Sequence, residues 1–512
     1  MKKKCPLEGD VAPTRERRVG AIRAYLGTAK QLLKDAKGGR LESRDFAFTN
    51  AWTCSAMGHA SPLRYVTVTD SVVIVHSPVG CISQLTQFVA PLMQPKWEFE
   101  GFGGFKPSQP ANWYCSNITE EEVIFGAERK LKETIIMADQ KHHPKCIWIF
   151  TSCASGIMGD DIGGVVKEVQ PGVGAIIVPI HCEAFRSRLS QWGHDATAHA
   201  ILKYLVRKPE KKRNNMINIG SPVMVWWTNR RYLTSLLARV GIECNYVPDY
   251  STTENFQILS EAAASVHLCR TWSSYLFEGL EQEYGVPYIL QDTEPFGIAR
   301  TELWLRKLAQ VVGTEEEMEK VIEEERAAVM PRVEALREQL QGLRVFISGG
   351  QMRTYHVPHI LVDDFGMELV GINPYEFDDG SIPELENLLR LTGNKDFMVD
   401  VSDNQTLQMA NYLRKLDVDL FLGERGTVGY IFKHSTPGMR VGCTFGEYHS
   451  LRADMDVGMQ MGFKGVASYG EYLLRVVRNP SLHNKLSAHT KLPFKDSWYE
   501  QDPAVNLVKP IS

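Results

Sequence analysis

Three cysteines, Cys54, Cys81 and Cys153, stand where thiols can do chemistry. Cys153 follows the strand-forming run "KCIWIF" and precedes a helix expected to begin near "GDDI", so the helix dipole and its N–H groups favour the thiolate. Cys81 ends "VVIVHSPVGC", again a strand followed by a Pro- and Gly-containing turn, and Cys54 lies in the aromatic, small-residue loop "NAWTCSAMGH". None of the three forms a CxxC pair, which excludes zinc-ribbon and ferredoxin spacings. They are 27 and 72 positions apart, so any shared ligand must be assembled by the fold. Three thiolates converging at loop ends suit a soft-ligand site, above all an iron–sulfur cluster. Cys146, inside a strand run, and Cys244 read instead as small buried hydrophobes.

The elements needed to carry these thiols alternate along the chain. Strands are expected at "SVVIVHS", "KCIWIF", "GAIIVPI", "NMINIG", "ECNYVP", "VPYILQD", "LRVFISG", "MELVGI", "VDLFLG" and "MRVGC", with amphipathic helical stretches between them. That alternation means βαβ units and parallel sheets, an α/β fold. Breaks at the basic stretch 207–215 and after a long charged helix interrupted at Pro331 divide it into three doubly wound domains. These are expected at 46–210, 211–342 and 343–480, after an N-terminal arm (1–45) with a short helical stretch at 21–37 and before a tail (481–512). Small residues follow the strand ends in "IFTSCAS", "NIGSPV" and "FISGGQ", where doubly wound sheets bind ligands. No GxGxxG follows them and no GxxxxGK[ST] occurs, so the chain has no dinucleotide or ATP fingerprint of its own.

Composition sets outer limits. The 512 residues are 44% hydrophobic and 23% charged, with a formal net charge of −4, which gives no electrostatic footprint for nucleic acid. No apolar run is long enough to span a bilayer, and "MKKKCPLEGD" has no hydrophobic segment after its basic residues. A cytoplasmic protein without a membrane partner is therefore expected. Ten cysteines in such a length are too sparse for a disulfide scaffold.

Several segments resemble the catalytic α subunit of nitrogenase component 1. They are "VVIVHSPVGC", "TSCASGIMGDDIGGVVKEV", "CEAFRSRLSQWGHDATAHA", "CRTWSSYLFEGLEQEYGVPYI" and "GGQMRTYHVPHILVDDFGMELVG", in the family's order over about 45–480. The resemblance implies three Rossmann-like domains around a central metal-cluster site. It implies an 8Fe–7S P-cluster shared with a homologous β subunit, with Cys54, Cys81 and Cys153 as this chain's ligands. It further implies an iron–sulfur–carbide active-site cluster held by one cysteine, matching Cys269, and one histidine, matching His449 in "GEYHSLRADMDVG", with His267 as the fallback. His194 matches the histidine that delivers protons. Gln191 stands one residue closer to it than the family's glutamine, and Arg353 falls near an arginine of the cofactor pocket. The implied partners are the β subunit, in an α2β2 complex, and an ATP-dependent homodimeric iron–sulfur reductase.

The departures bear on substrate. After Cys81 the segment "GCISQLTQF" lacks the arginine typical of dinitrogen-reducing enzymes, and "GERGTVGYIF" replaces a stretch with a homocitrate-contacting lysine. Loss of two basic contacts argues against tightly held homocitrate and the molybdenum it accompanies. The best-fitting resemblance is then to the methylthio-alkane reductases, which release methanethiol and a hydrocarbon from small methylthio compounds. An alternative (iron-only or vanadium) nitrogenase and a cofactor-assembly scaffold are the other readings.

Overall fold

The computed structural model describes residues 5–41, 65, 67–82, 112–221, 227–248, 250–402, 405–413, 415–423, 441–444 and 459–478. In chain order the strands are β1 (Ala24–Thr28), β2 (Ser71–His76), β3 (Asn112–Cys115), β4 (Cys146–Thr151), β5 (Ile176–Ile180), β6 (Arg213–Ser221) and β7 (Glu243–Pro248). They continue with β8 (Ala262–His267), β9 (Arg344–Gly349), β10 (Glu368–Pro374), β11 (Met398–Ser402), β12 (Leu420–Gly423) and β13 (Val441–Thr444). Among the described residues they build sheets of order β3-β2-β4-β5, β7-β6-β8 and β1-β11-β10-β9-β12-β13. Only the pairing of β1 with β11 is antiparallel, so the α/β reading with parallel sheets holds.

The chain forms two compact units. One comprises Met1–Gly20, Trp52–Val225 and Gly241–Gln291 and contains the four- and three-stranded sheets; the other comprises Ala21–Ala51, Trp226–Val240 and Asp292–Ser512 and contains the six-stranded sheet.

In the first unit β2 ("SVVIVH") and β4 ("CIWIFT") are buried at every position, as parallel strands covered on both faces must be. Their period of two sends Val72, Ile74, Ile147 and Ile149 into one core, with Leu131 and Ile135 of the helix Glu128–His142. Val73, Val75, Trp148 and Phe150 enter another core, which also holds Ile201 and Leu202 of the helix Trp192–Tyr204. That helix is buried at every residue from Trp192 to Leu202. Its polar side chains therefore need partners inside the protein.

Three expectations are corrected. The helical stretch at 21–37 divides into β1 and the helix Ala29–Lys37, because pairing with β11 captures the first half and Thr28 Oγ1 caps the second by accepting from Gln31 N. "VPYILQD" contributes only an isolated bridge from Tyr288 to Ser265. The helix Glu315–Leu340 runs through Pro331 without a break. Burial of Val321, Ile322, Val329, Val333 and Leu336 along one side offsets the roughly 3 kcal/mol that an interior proline costs. Strands β1, β3, β8 and β11 were not among the ten runs named above. The tail 481–512 lies outside the described residues, as do Cys54, His449 and the segments that follow Cys81 and Gly423.

Candidate functional site

The carboxyl end of the four-stranded sheet is lined with sulfur. Cys81 follows β2 in the helical residues 79–82, its N–H donating to Pro78 O at 3.1 Å. Cys153 follows β4 and is the first residue of the helix Cys153–Met158, with Ser152 as N-cap in a reciprocal capping box with Ser155. The helix thus begins at the cysteine itself. "GDDI" opens the next helix, Ile162–Val169, with Asp161 accepting from Gly164 N at 2.8 Å. Cys81 and Cys153 are half-buried and outside any disulfide. Cys146 is buried within β4, where loss of solvent drives its thiol pKa up, the structural role read from the sequence.

The other two strands of this sheet also end at cysteines, which the sequence reading did not single out. Cys115 closes β3, its thiol donating to Ser77 O at 3.1 Å and accepting from Asn117 N at 3.3 Å. Cys182, buried just past β5, donates to Thr151 O at 3.2 Å. The usable signal was a cysteine at each strand's carboxyl end rather than any CxxC spacing. At the same edge the buried His76 lies between Ser116 Oγ (Nδ1, 2.8 Å) and Asp160 Oδ2 (Nε2, 3.0 Å). Burial lowers its pKa despite the carboxylate. Asp160 Oδ1 in turn accepts from Ala127 N at 3.1 Å, so one buried carboxylate ties the helices around Cys153 together.

A second constellation gathers on two helices of the same unit. Gln191 is the N-cap of Trp192–Tyr204 and is buried; its carbonyl accepts from His194 N at 3.0 Å. His194 is buried and stacks on Trp272, ring centroids 4.4 Å apart. Cys269 is the buried N-cap of Arg270–Tyr284, two residues beyond β8, at the positive end of the helix dipole. Gly220 in β6 lets this helix come close: a Cβ there would lie 2.1 Å from Ser273 Oγ. Against the imidazole lies a cavity of about 20 Å³, taken over the centres of a water-sized sphere. Tyr65, Phe256, Trp272, Leu276, Ile201 and Val247 give it a mainly apolar wall.

His267, the fallback ligand, is buried at the end of β8 and bonded through Nδ1 to Tyr288 OH at 2.7 Å. Arg353 is buried in the helix Gln351–Pro358 of the second unit. Among the described residues no three His, Cys, Asp or Glu side chains converge where a single metal ion could be held. No helix among them is long and apolar enough to cross a membrane.

Residues 54–478 match the family described as nitrogenase component 1 type oxidoreductase. The chain is 26% identical over 424 residues to the nitrogenase molybdenum-iron protein alpha chain of Methanothermobacter thermautotrophicus, covering 81% of this chain and 85% of that one. It is 27% identical over 315 residues to the nitrogenase iron-molybdenum cofactor biosynthesis protein NifE of Methanococcus maripaludis, covering 59% and 61%. The solved structure of nitrogenase Cp1 at pH 6.5 has the same fold, with a TM-score of 0.68 at 18% identity over 88% of this chain and 93% of that one.

Proposed function

The chain belongs to the nitrogenase component 1 type oxidoreductase family, and from that premise we propose that it is the catalytic α-type subunit of a nitrogenase-like reductase cleaving the C–S bond of small methylthio-alkanes. The observation that carries the choice of substrate is the cavity against His194. Among the described residues no acid, lysine or arginine lines it, and its size suits a methyl or methylthio end. An anionic organic acid would be desolvated there without a counter-charge.

The donor set fits two iron–sulfur groups. Cys81 and Cys153, half-buried thiols at the carboxyl end of one parallel sheet, would hold the P-cluster together with Cys54 and cysteines of a homologous β subunit. Cys269, a buried thiol at a helix N-terminus, would ligate the active-site cluster, with Gln191 contributing from the neighbouring helix of the same unit; for His449 and Arg353 the roles are those that the family resemblance implies. These groups, when bound, would relay single electrons from a separate ATP-hydrolysing iron–sulfur reductase and bind the substrate at open iron. The heterometal reading is iron without molybdenum, and the assembly reading is α2β2.

Cleavage of R–S–CH3 to RH and CH3SH consumes two electrons and two protons. The imidazole of His194 supplies protons at the pocket, and stacking on Trp272 fixes the plane from which it does so. The aromatic wall holds the thioether and keeps water off the reacting bond.

The test offers the intact complex and its reductase either 2-methylthioethanol or dinitrogen, with gas chromatography of products. With 2-methylthioethanol the same two electrons and two protons are expected to give ethylene, methanethiol and water, the hydroxyl leaving as water instead of the carbon taking up a proton. Ammonia without hydrocarbon would assign the protein to dinitrogen reduction instead. The matched NifE relative supports a second reading, a cofactor-assembly scaffold. Neither product, with a cluster transferable to another protein, would establish it.

A further inference from the structure

The segment 5–18 lies along the two helices that carry His194 and Cys269, all within the first unit. Arg15 and Arg18 converge on one carboxylate, Asp195, the residue after His194. Arg15 Nη1 donates to Asp195 Oδ1 at 2.9 Å, and Arg18 Nε to Asp195 Oδ2 at 3.0 Å. All three side chains are at most 1% exposed. The same guanidiniums reach the other helix. Arg15 Nη1 also donates to Thr271 O at 3.3 Å, two residues beyond Cys269, and Arg18 Nη1 to Glu278 Oε2 at 2.9 Å. Further contacts hold the segment along its length: Trp192 Nε1 donates to Pro13 O at 3.1 Å and Ser187 Oγ to Glu16 at 3.0 Å.

We propose that Arg15, Arg18 and Asp195 are positioning residues for the cofactor face, a buried clasp that fixes the turn of His194 against the turn that opens at Cys269. This role rests on the reading of Cys269 and His194 as cofactor-facing. A buried ion cluster is weak as a source of net stability but strict about geometry, because each group tolerates few arrangements that leave no charge unpaired. Here that strictness falls on two adjacent positions: the neighbour of the proton donor and the first turn after the thiol. Asp195 occupies the first turn of its helix, where its charge is also favoured by the dipole. Two cations on one carboxylate, with Glu278 sharing the second, leave the cluster balanced.

The experiment uses the full chain in its complex, as isolated and after anaerobic chelation, comparing the unsubstituted protein with R15Q, D195N and R15K. The first readout is independent of any cluster: alkylation of Cys269 by iodoacetamide after chelation, followed by mass spectrometry, with Cys146 as the internal control. R15Q and D195N are expected to raise the Cys269 rate about tenfold with Cys146 unchanged, and R15K to restore much of the protection. The second is the electron paramagnetic resonance of the active-site cluster, expected to broaden or shift in R15Q and D195N while the P-cluster signal stays. A lower melting temperature with both readouts unchanged would reduce the clasp to a structural tie and overturn the proposal. If the unsubstituted complex carries no active-site cluster, the functional reading fails while the alkylation result still decides the clasp.

Discussion

Cys153 and His194 are both fixed by their own helix starts, and each should fail in its own way. Cys153→Ala removes a thiol while leaving the Ser152 capping box intact, so the helix should persist and only cluster chemistry should suffer. The expected outcome is loss of the P-cluster's redox signal with the far-ultraviolet circular dichroism unchanged; an unaltered signal would exclude Cys153 as a ligand. His194→Gln keeps a polar side chain against Trp272 but cannot relay protons near neutral pH. Turnover should fall by roughly 10²–10⁴-fold with both cluster signals retained. A variant with unchanged turnover would move the proton donor elsewhere.

Packing between elements decides where these side chains point, and glycine marks one critical approach. A Cβ on Gly156 would lie 2.6 Å from Glu183 Cγ, close to the main chain rather than at the flexible tip. Glu183 cannot swing away cheaply. Burial raises its pKa, but hydrogen bonds from His181 and Arg186 prevail and hold it down at about 2. Gly156→Ala should therefore tilt the Cys153 helix and shift the P-cluster signal, with the apparent melting temperature lowered; a change in neither would show that the two elements yield freely. In the other unit Asp364 accepts from Ile298 N at 3.2 Å, at the start of the helix Ile298–Val312. Burial raises its pKa to about 8 from 3.8. The folded state then holds a proton that the unfolded chain has released, so this group's contribution is full below about pH 4 and is lost as pH rises through about 8. Asp364→Asn keeps the acceptor without the charge. The difference in unfolding free energy between variant and unsubstituted protein, read from denaturant unfolding, should grow from pH 4 to 8, by up to roughly 1.4 kcal/mol per pH unit, then level off. A flat difference would contradict the assignment. Much of this scaffold was legible in the sequence, since the β-branched runs of β2 and β4 announce buried parallel strands and Cys153 stands visibly at a strand's end. The fate of "VPYILQD" was not legible, because only the register against β8 reduces it to one bridge. The clasp was hidden for a similar reason: Arg15 and Asp195 are 180 positions apart, and no local pattern links them.

At the scale of the whole molecule the question is how electrons reach a chain without its own ATP-binding loop. Helices Glu120–Phe125 and Cys153–Met158 lie in contact and present apolar side chains outward: Ile124 is 74% exposed, Phe125 81% and Ile157 77%. A patch of this kind marks a surface meant for a partner. It adjoins Cys153, the thiol assigned to the cluster that receives electrons, so a docked reductase would place its donor near that end of the sheet. Beside it Glu120 and Glu121 are exposed and Glu128 is half-buried, whereas Glu122 is buried against Lys130. The first three acids would form part of a polar rim and favour a basic counterpart. Truncating the most exposed ring tests the assignment. Phe125→Ala should raise the reductase concentration needed for half-maximal turnover about tenfold, equivalent to about 1.4 kcal/mol, while saturated turnover and both cluster signals stay unchanged. Added salt should weaken docking further if the acidic rim contributes. A variant that instead falls apart in size-exclusion chromatography would assign the patch to the β subunit. One that retains both its assembly and its reductase dependence would leave electron entry to another face.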